Sequence, residues 1–241
     1  MKRILIISSS QIFPPQSGGQ LRTASLARGL VNAGFEVSLY SLTGRKSEYL
    51  RGLGSTRSEI EPGLNEFVDR SRIFGVLQWA TYRLGLPDVW ISLPFPPPHT
   101  LESEIERCDV LIADFPFTTR FAALKKTGLR VMNCHNLEFE RYGKSFWSQE
   151  VLVPLIKRFE RKAAQRVDLV LVTSENEKRF YDGIQEVLVV PNAIQPRNKL
   201  GRDEMRTQLG ISSEERVVLF AASQYGPNLE ALERLKQFVE L

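Results

Sequence analysis

The sequence predicts an α/β protein in which a parallel sheet is sandwiched by helices, and three observations carry that reading. Short apolar runs rich in branched residues recur along the chain, as in Ile4-Leu5-Ile6-Ile7, Val110-Leu111-Ile112-Ala113 and Leu169-Val170-Leu171-Val172. Runs without polar alternation belong to strands buried on both faces, as in parallel sheets. Segments with apolar residues at helical spacing separate them, and a strand, helix, strand order implies a right-handed parallel crossover. With 241 residues, 42% hydrophobic and 25% charged, the chain can bury a sizeable core as one large domain, or one and a part.

The first unit sets the terms. Residues 2–9 form the opening strand, and a loop stiffened by Pro14 and Pro15 follows. Gly18-Gly19 then opens a helix over 20–33, with Leu21, Ala24, Leu26, Ala27, Leu30 and Val31 at its apolar positions. Gly34 is a natural C-cap. Residues 35–42 read as the second strand, and 43–62, polar and rich in glycine and basic residues, as a loop with at most a turn of helix. From 64 onward Phe67, Val68, Ile73, Phe74, Val76, Leu77, Trp79 and Tyr82 suggest helix, after which Pro87, Pro94, Pro96, Pro97 and Pro98 impose extended structure.

A helix over 99–107, a strand over 109–113 and a turn at Phe115-Pro116-Phe117 lead into a helix over 118–126. A strand over 129–134, a long helix over 148–167 and a strand over 168–173 complete the pattern. Ser174, with Glu177 three residues on, forms a capping box that opens a helix ending near Gly183. A strand over 187–190 runs into the turn Pro191-Asn192-Ala193-Ile194. Beyond Gln195 the composition turns polar, which places a domain boundary between 1–195 and 196–241. The second part holds a short helix to Leu209, a buried-type strand over 216–222 and a helix over 229–240.

Composition narrows the classes. No apolar stretch approaches a membrane span, and the N-terminal run is too short for a secretory signal, so a cytoplasmic location is expected. Cys108 and Cys134 read as buried free thiols, and two cysteines with two histidines offer no zinc spacing. The net charge of +4 and pI near 9.1 leave room for an anionic partner: nucleic acid, an acidic membrane surface or a phosphorylated ligand. The aromatic, proline-rich stretch around Trp79 and Trp90 reads as a layer packed on the sheet or as a substrate or membrane surface. Lys157, Arg158, Arg161, Lys162 and Arg166 form a solvated basic face or a rest for anionic lipid.

Two places carry chemistry. The unpaired amides at the start of the first helix favour an anion, and glycines there allow a ligand to approach the backbone; Gly18-Gly19 is such a site or a plain turn. The G-x-G-x-x-G fingerprint directly after the first strand is absent, which argues against a nicotinamide enzyme. His135-Asn136-Leu137-Glu138 stands where a central strand ends, and ligands of open parallel sheets bind beyond the carboxyl ends of strands. His135 is a site residue or a histidine capping a strand end.

In order and spacing these pieces resemble the GT-B fold glycosyltransferases of the large retaining group, similar to glycosyltransferase family 4. The matching residues are Gly18-Gly19 after the opening strand, Gly34-Phe35-Glu36-Val37 before strand two, and His135 after a central strand. They continue with Ser174-Glu175 after Val170-Leu171-Val172, then Val189-Val190-Pro191-Asn192, and finally Ser223 with Pro227-Asn228. The resemblance implies a Rossmann-like N-terminal domain that holds the acceptor, followed by only the start of a second domain that would grip the donor. It implies transfer with retention from a nucleotide-sugar donor to a glycan or lipid-linked acceptor, with no metal, no cofactor and no nucleic acid. On that resemblance His135 is the catalytic-centre residue that contacts the donor sugar, and Gly18 and Gly19 contact the diphosphate or the acceptor. Asp114 and Glu138 would orient the acceptor hydroxyl, and Asn136 and Asn192 complete the binding set. Two residues depart from the pattern: Ala193, where the family often has glycine, and Gln224, near where many members carry arginine. Two other readings remain: a nucleotide-sugar epimerase on the same fold, and a non-catalytic module that docks on an anionic membrane or is completed by a partner chain.

Overall fold

The computed structural model describes residues 1–45, 47, 54–86, 88–143, 149–193, 201–221 and 226–239. The chain divides into two compact units, Met1–Ile194 and Gln195–Leu241. In the first, eight strands form one sheet: β1 (Arg3–Ser8), β2 (Glu36–Ser41), β3 (Thr56–Glu61), β4 (Leu64–Val68), β5 (Val110–Asp114), β6 (Leu129–Asn133), β7 (Leu169–Val172) and β8 (Glu186–Val189). Their spatial order is β3-β4-β2-β1-β5-β6-β7-β8, parallel throughout except for the β3–β4 pair. The order reverses at β1, which lies between β2 and β5, and the crevice of a doubly wound sheet opens at such a switch point.

The helices of this unit are α1 (Gly18–Asn32), α2 (Arg72–Arg83), α3 (His99–Arg107), α4 (Glu138–Gly143), α5 (Gln149–Ala164) and α6 (Glu175–Tyr181), with 3-10 segments at Val89–Ser92 and Pro116–Leu124. Successive strand side chains point to opposite faces, so the continuous apolar runs build two cores at once. Ile4, Ile6, Val37, Leu39 and Ile112 pack with Ala24 and Ala27 of α1. Leu5, Ile7, Tyr40, Leu111 and Met132 pack on the other face with Leu101 and Ile105 of α3 and Ile156 and Ala163 of α5. Cys108 and Cys134 are buried and free. No helix among the described residues is long and apolar enough to cross a membrane.

The structure corrects four expectations. Residues 56–61 and 64–68 are strands, not loop and helix: Leu64 and Val68 are buried at alternate positions of β4, Gly63 turns the hairpin at φ +83°, and the acidic Glu66 on the inward face disguises the alternation. Residues 116–124 form a 3-10 segment rather than a helix over 118–126. There the hydroxyls of Thr118 and Thr119 donate to the carbonyls of Asp114, Phe115 and Pro116, competing with the α-helical ladder. In α1 the inward residues are Arg22, Thr23, Ala24 and Ala27, while Leu21 is exposed. The expected strand over 216–222 is no strand over its described part, 216–221; Val217, Val218 and Leu219 are exposed there, and no described strand of that unit lies beside them to pair with.

The second unit contains α7 (Arg202–Leu209), ended by Gly210 at φ +67°, and α8 (Gly226–Val239). The start of the long helix at Ser148, the boundary at Gln195, and Ser223 and Gln224 lie outside the described residues.

Two glycines separate backbone strain from steric clash. Gly34 sits at φ +88° with open space around it, whereas at Gly128, φ +92°, a Cβ would stand 2.3 Å from the carbonyl oxygen of Asp109. Gly34→Ala is expected to cost about 1 kcal/mol, and Gly128→Ala about 3 kcal/mol or more, from strain and overpacking together. Denaturant midpoints at equal slope check the ordering.

Candidate functional site

The loop from β1 to α1 is irregular, and buried polar groups hold it. Glu66, 2% exposed on β4, accepts the backbone N–H groups of Ile12 (2.6 Å) and Phe13 (3.1 Å) and the hydroxyl of Ser41 (2.8 Å). Burial pushes this carboxyl above its ordinary value. Thr43 donates to the carbonyl of Ser9. At the helix start Ser17 is the N-cap, its hydroxyl accepting from the Gln20 amide, and the Gln20 side chain reaches back to Gln11 and Gln16. The first turn of α1 is thereby aimed at the carboxyl ends of β1, β5 and β6.

Beneath it lies a fully buried carboxylate. Asp114, the last residue of β5, accepts from the Thr23 hydroxyl at 2.9 Å, from the Asn133 amide at 2.7 Å and from His135 Nε2 at 2.8 Å. A carboxylate can only accept, so Nε2 of His135 carries the hydrogen. The other nitrogen, Nδ1, is buried without a partner and faces Gly19, where a Cβ would come within 2.9 Å of it. The imidazole stacks on Phe115, centroids 4.0 Å apart, and Phe115 holds φ +79°, a conformation that side chains with a Cβ rarely adopt. Arg22 extends the network, donating from Nε to Asn133 and from Nη1 to the Val190 carbonyl and the Asn192 side chain. One set of hydrogen bonds therefore joins α1 to β5, β6 and the exit of β8.

A cleft of about 380 Å³ adjoins this network, lined by Ser8, Ser9, Ser17, Gly19 and Gln20, by Gln78, Tyr82, Asp88 and Arg141, and by Asp114 and Phe115. Arg141 donates to Glu138 at 2.9 Å and pairs with Asp88 at 3.4 Å. Glu138 is fully buried, and burial pushes its carboxyl up to about 7, with Arg141 pulling the other way. Glu160 of α5, also fully buried, accepts the backbone N–H groups of Glu138 and Phe139, and burial pushes it up to about 8.

Of the residues singled out from the sequence, Gly19 and Asp114 line the cleft. His135 lies under Gly19, Glu138 stands behind Arg141, and Asn192 joins through Arg22. Gly18 has open space around it, and Asn136 is exposed at the turn after β6. The sequence reading missed Arg22, Thr23, Asn133, Arg141 and Glu66. The available signal for the first two was the Gly-Gly itself: residues three and four after Gly19 come round to the same side of a helix.

A doubly wound sheet with its cleft at the β1/β5 switch point, and a glycine-bearing helix start above it, defines a Rossmann-like α/β domain of the kind that forms the N-terminal half of GT-B proteins. The profile of Glycosyltransferase Family 4 matches residues 16–198, and the chain belongs to that family. No curated protein sequence matches it. Among solved structures, sucrose-phosphate synthase from Thermosynechococcus elongatus superposes with a TM-score of 0.57 at 13% identity, over 89% of this chain and 54% of that one. The catalytic domain of starch synthase IV from Arabidopsis thaliana, bound to ADP and acarbose, gives 0.49 at 12% identity, over 89% and 60%. The fold assignment rests on the first. The chain spans about half the length of that solved chain.

The buried acids make stability pH-dependent. Between the ordinary carboxyl value of 4.5 and the raised values at Glu138 and Glu160, the folded protein holds protons that the unfolded chain has lost. Stability is therefore expected to fall as pH rises from about 5 to 7, by roughly 1 kcal/mol per pH unit for each carboxyl. Glu160→Gln should flatten that slope; thermal unfolding of both proteins across this range checks it.

Proposed function

We propose that this chain binds the acceptor, and part of a nucleotide-sugar donor, for a glycosyltransferase that transfers the sugar with retention to a glycan or lipid-linked acceptor. Family membership supports the reaction class. The observation that carries the rest is a cleft beside the carboxyl ends of β1 and β5 whose lining includes both the first turn of α1, through Gly19 and Gln20, and Arg141. When the bond to the sugar breaks, negative charge develops on the departing diphosphate. Preorganised amides at a helix start and a guanidinium held in place are suited to stabilise such charge. The reading uses no metal or cofactor and keeps the cytoplasmic location expected from the sequence.

The residues take different parts in it. Gly18 and Gly19 let a ligand approach the backbone, and Asp114 holds the helix start in position. In the present arrangement His135 is a positioning residue under Gly19 and Phe115; it would reach the donor sugar only after its ring left Asp114. Glu138 acts through Arg141 and Asn192 through Arg22, and Asn136 is left to contact ligand from the exposed turn.

The test is binding of UDP-, ADP- and GDP-sugars to the chain by calorimetry, with nucleoside diphosphate release as the readout once an acceptor is supplied. Gly19→Ala pushes a methyl into His135, and it is expected to weaken nucleotide-sugar binding about tenfold or more through misplacement of the helix start. It should also lower stability by about 1–3 kcal/mol. Undiminished affinity in a folded Gly19→Ala protein would remove the cleft from consideration. Sugar isomerisation without transfer would point to an epimerase, and the absence of any nucleotide-sugar binding to a non-catalytic module.

A further inference from the structure

Helix α2 has two faces that do different work. Its inward face is buried through Gly75 and Gln78, with Phe74 against Trp90 at 5.4 Å. Gln78 and Tyr82 also line the cleft described above. The outward face is apolar: Ile73 is 65% exposed, Val76 and Trp79 42% each, and Leu84 just past the helix end 62%, with Tyr82, 46% exposed, between this face and the cleft. The membrane-facing role weighed for Trp90 is closed to it, since Trp90 is 3% exposed.

Charge on this helix is of one sign. Residues 72–83 include Arg72 and Arg83, one at each end, and no aspartate or glutamate. Arg83 lies over the Trp79 ring, 5.6 Å from its centroid, so its stem runs along the apolar face while its charge sits at the helix end. A second copy of this chain docking face to face would set like charges against each other. An anionic bilayer meets both features together: apolar side chains enter the boundary of headgroups and acyl chains, Trp and Tyr rings sit at headgroup level, and arginines at the rim pair with lipid phosphates.

We propose that the outward face of α2 is a docking surface for an anionic lipid bilayer, which sets the cleft mouth beside Gln78 and Tyr82 at the membrane surface. The docking stands independently of the glycosyltransferase reading. If that reading also holds, an acceptor borne on a lipid is the one this geometry presents to the cleft. The basic face of α5 is the competing surface, and there Lys157 lies over the rings of Phe139 and Phe180, and Arg161 over Phe180.

The experiment is flotation of the whole chain with phosphatidylcholine vesicles, with and without phosphatidylglycerol, at low and high salt. Salt-sensitive binding to the anionic vesicles is expected, with quenching of Trp79 fluorescence by brominated lipid that is lost in Trp79→Phe. Arg72→Glu with Arg83→Glu should weaken binding about tenfold or more, and Ile73→Ser with Val76→Ser by a similar factor. Both helix faces involved are exposed, so circular dichroism should show these variants folded. Lys157→Glu with Arg161→Glu should leave binding unchanged. No binding to anionic vesicles, or binding abolished by the α5 variant and untouched by the α2 variants, would overturn the proposal. So would a dimer in sedimentation analysis that Ile73→Ser disperses.

Discussion

The arrangement of this domain depends on one carboxylate. Asp114 ends β5 with no exposure to solvent, and its two oxygens take hydrogen bonds from α1, from β6 and from the turn after β6. Such a group is either fully satisfied or expensive, because leaving its donors buried without an acceptor costs about 1–3 kcal/mol each. Its environment therefore allows a single placement of Thr23, Asn133 and His135. The consequences run outward from there. The chain turns sharply after Asp114, putting Phe115 at positive φ so that its ring covers the imidazole. The imidazole in turn leaves no room at position 19 for a side chain. Gly19 is a glycine because of what lies beneath it, whatever lies above.

The same device recurs near the cleft, behind Ile12 and at the start of the helix that carries Arg141. Irregular backbone lacks the ladder partners that helices and strands supply, and buried amides must still be satisfied. Glu66 supplies an acceptor to Ile12 and Phe13 in the loop before α1, and Glu160 does so for Glu138 and Phe139 at the start of α4. Each is a carboxyl on a regular element that takes up amides left without ladder partners, in the loop before α1 and in the first turn of α4, the partners standing 54 and 22 positions apart. Burial raises both carboxyls, so the walls are held at some electrostatic cost that their amide donors offset. Loops positioned in this way keep a cleft open without being packed shut by apolar side chains.

What could be read from the sequence follows the distinction between local and tertiary causes. The buried strands of the first unit, α1, the Gly34 cap and the Ser174 cap are local signals, whereas the similar apolar run over 216–221, with no described strand of its unit beside it, forms none. Strand β4 was hidden because Glu66 occupies an inward position that only Ile12, Phe13 and Ser41 make tolerable. Arg22 and Thr23 look like the solvated side of an amphipathic helix until Asp114, Asn133 and the exit of β8 are known to lie opposite them. The position of His135 was legible, because strand ends in parallel sheets face the ligand crevice. Its orientation was not, because it depends on a neighbour 116 positions earlier having no side chain.

Helix α2 shows why apolar content alone does not decide between core and surface. Its aromatic residues read as a packed layer or as a contact surface, and the structure puts rings on both sides of one element, Phe74 inward and Trp79 outward. A helix that only covered the sheet would carry polar residues on its outer side, since an exposed apolar stripe invites association. Here the outer positions are apolar between arginines, while the two residues that reach the cleft, Gln78 and Tyr82, are polar or amphipathic. The element thus joins the chemical surface of the cleft to an apolar one exposed among the described residues, within a span of twelve residues, and any body that settles on the second must lie next to the mouth of the first.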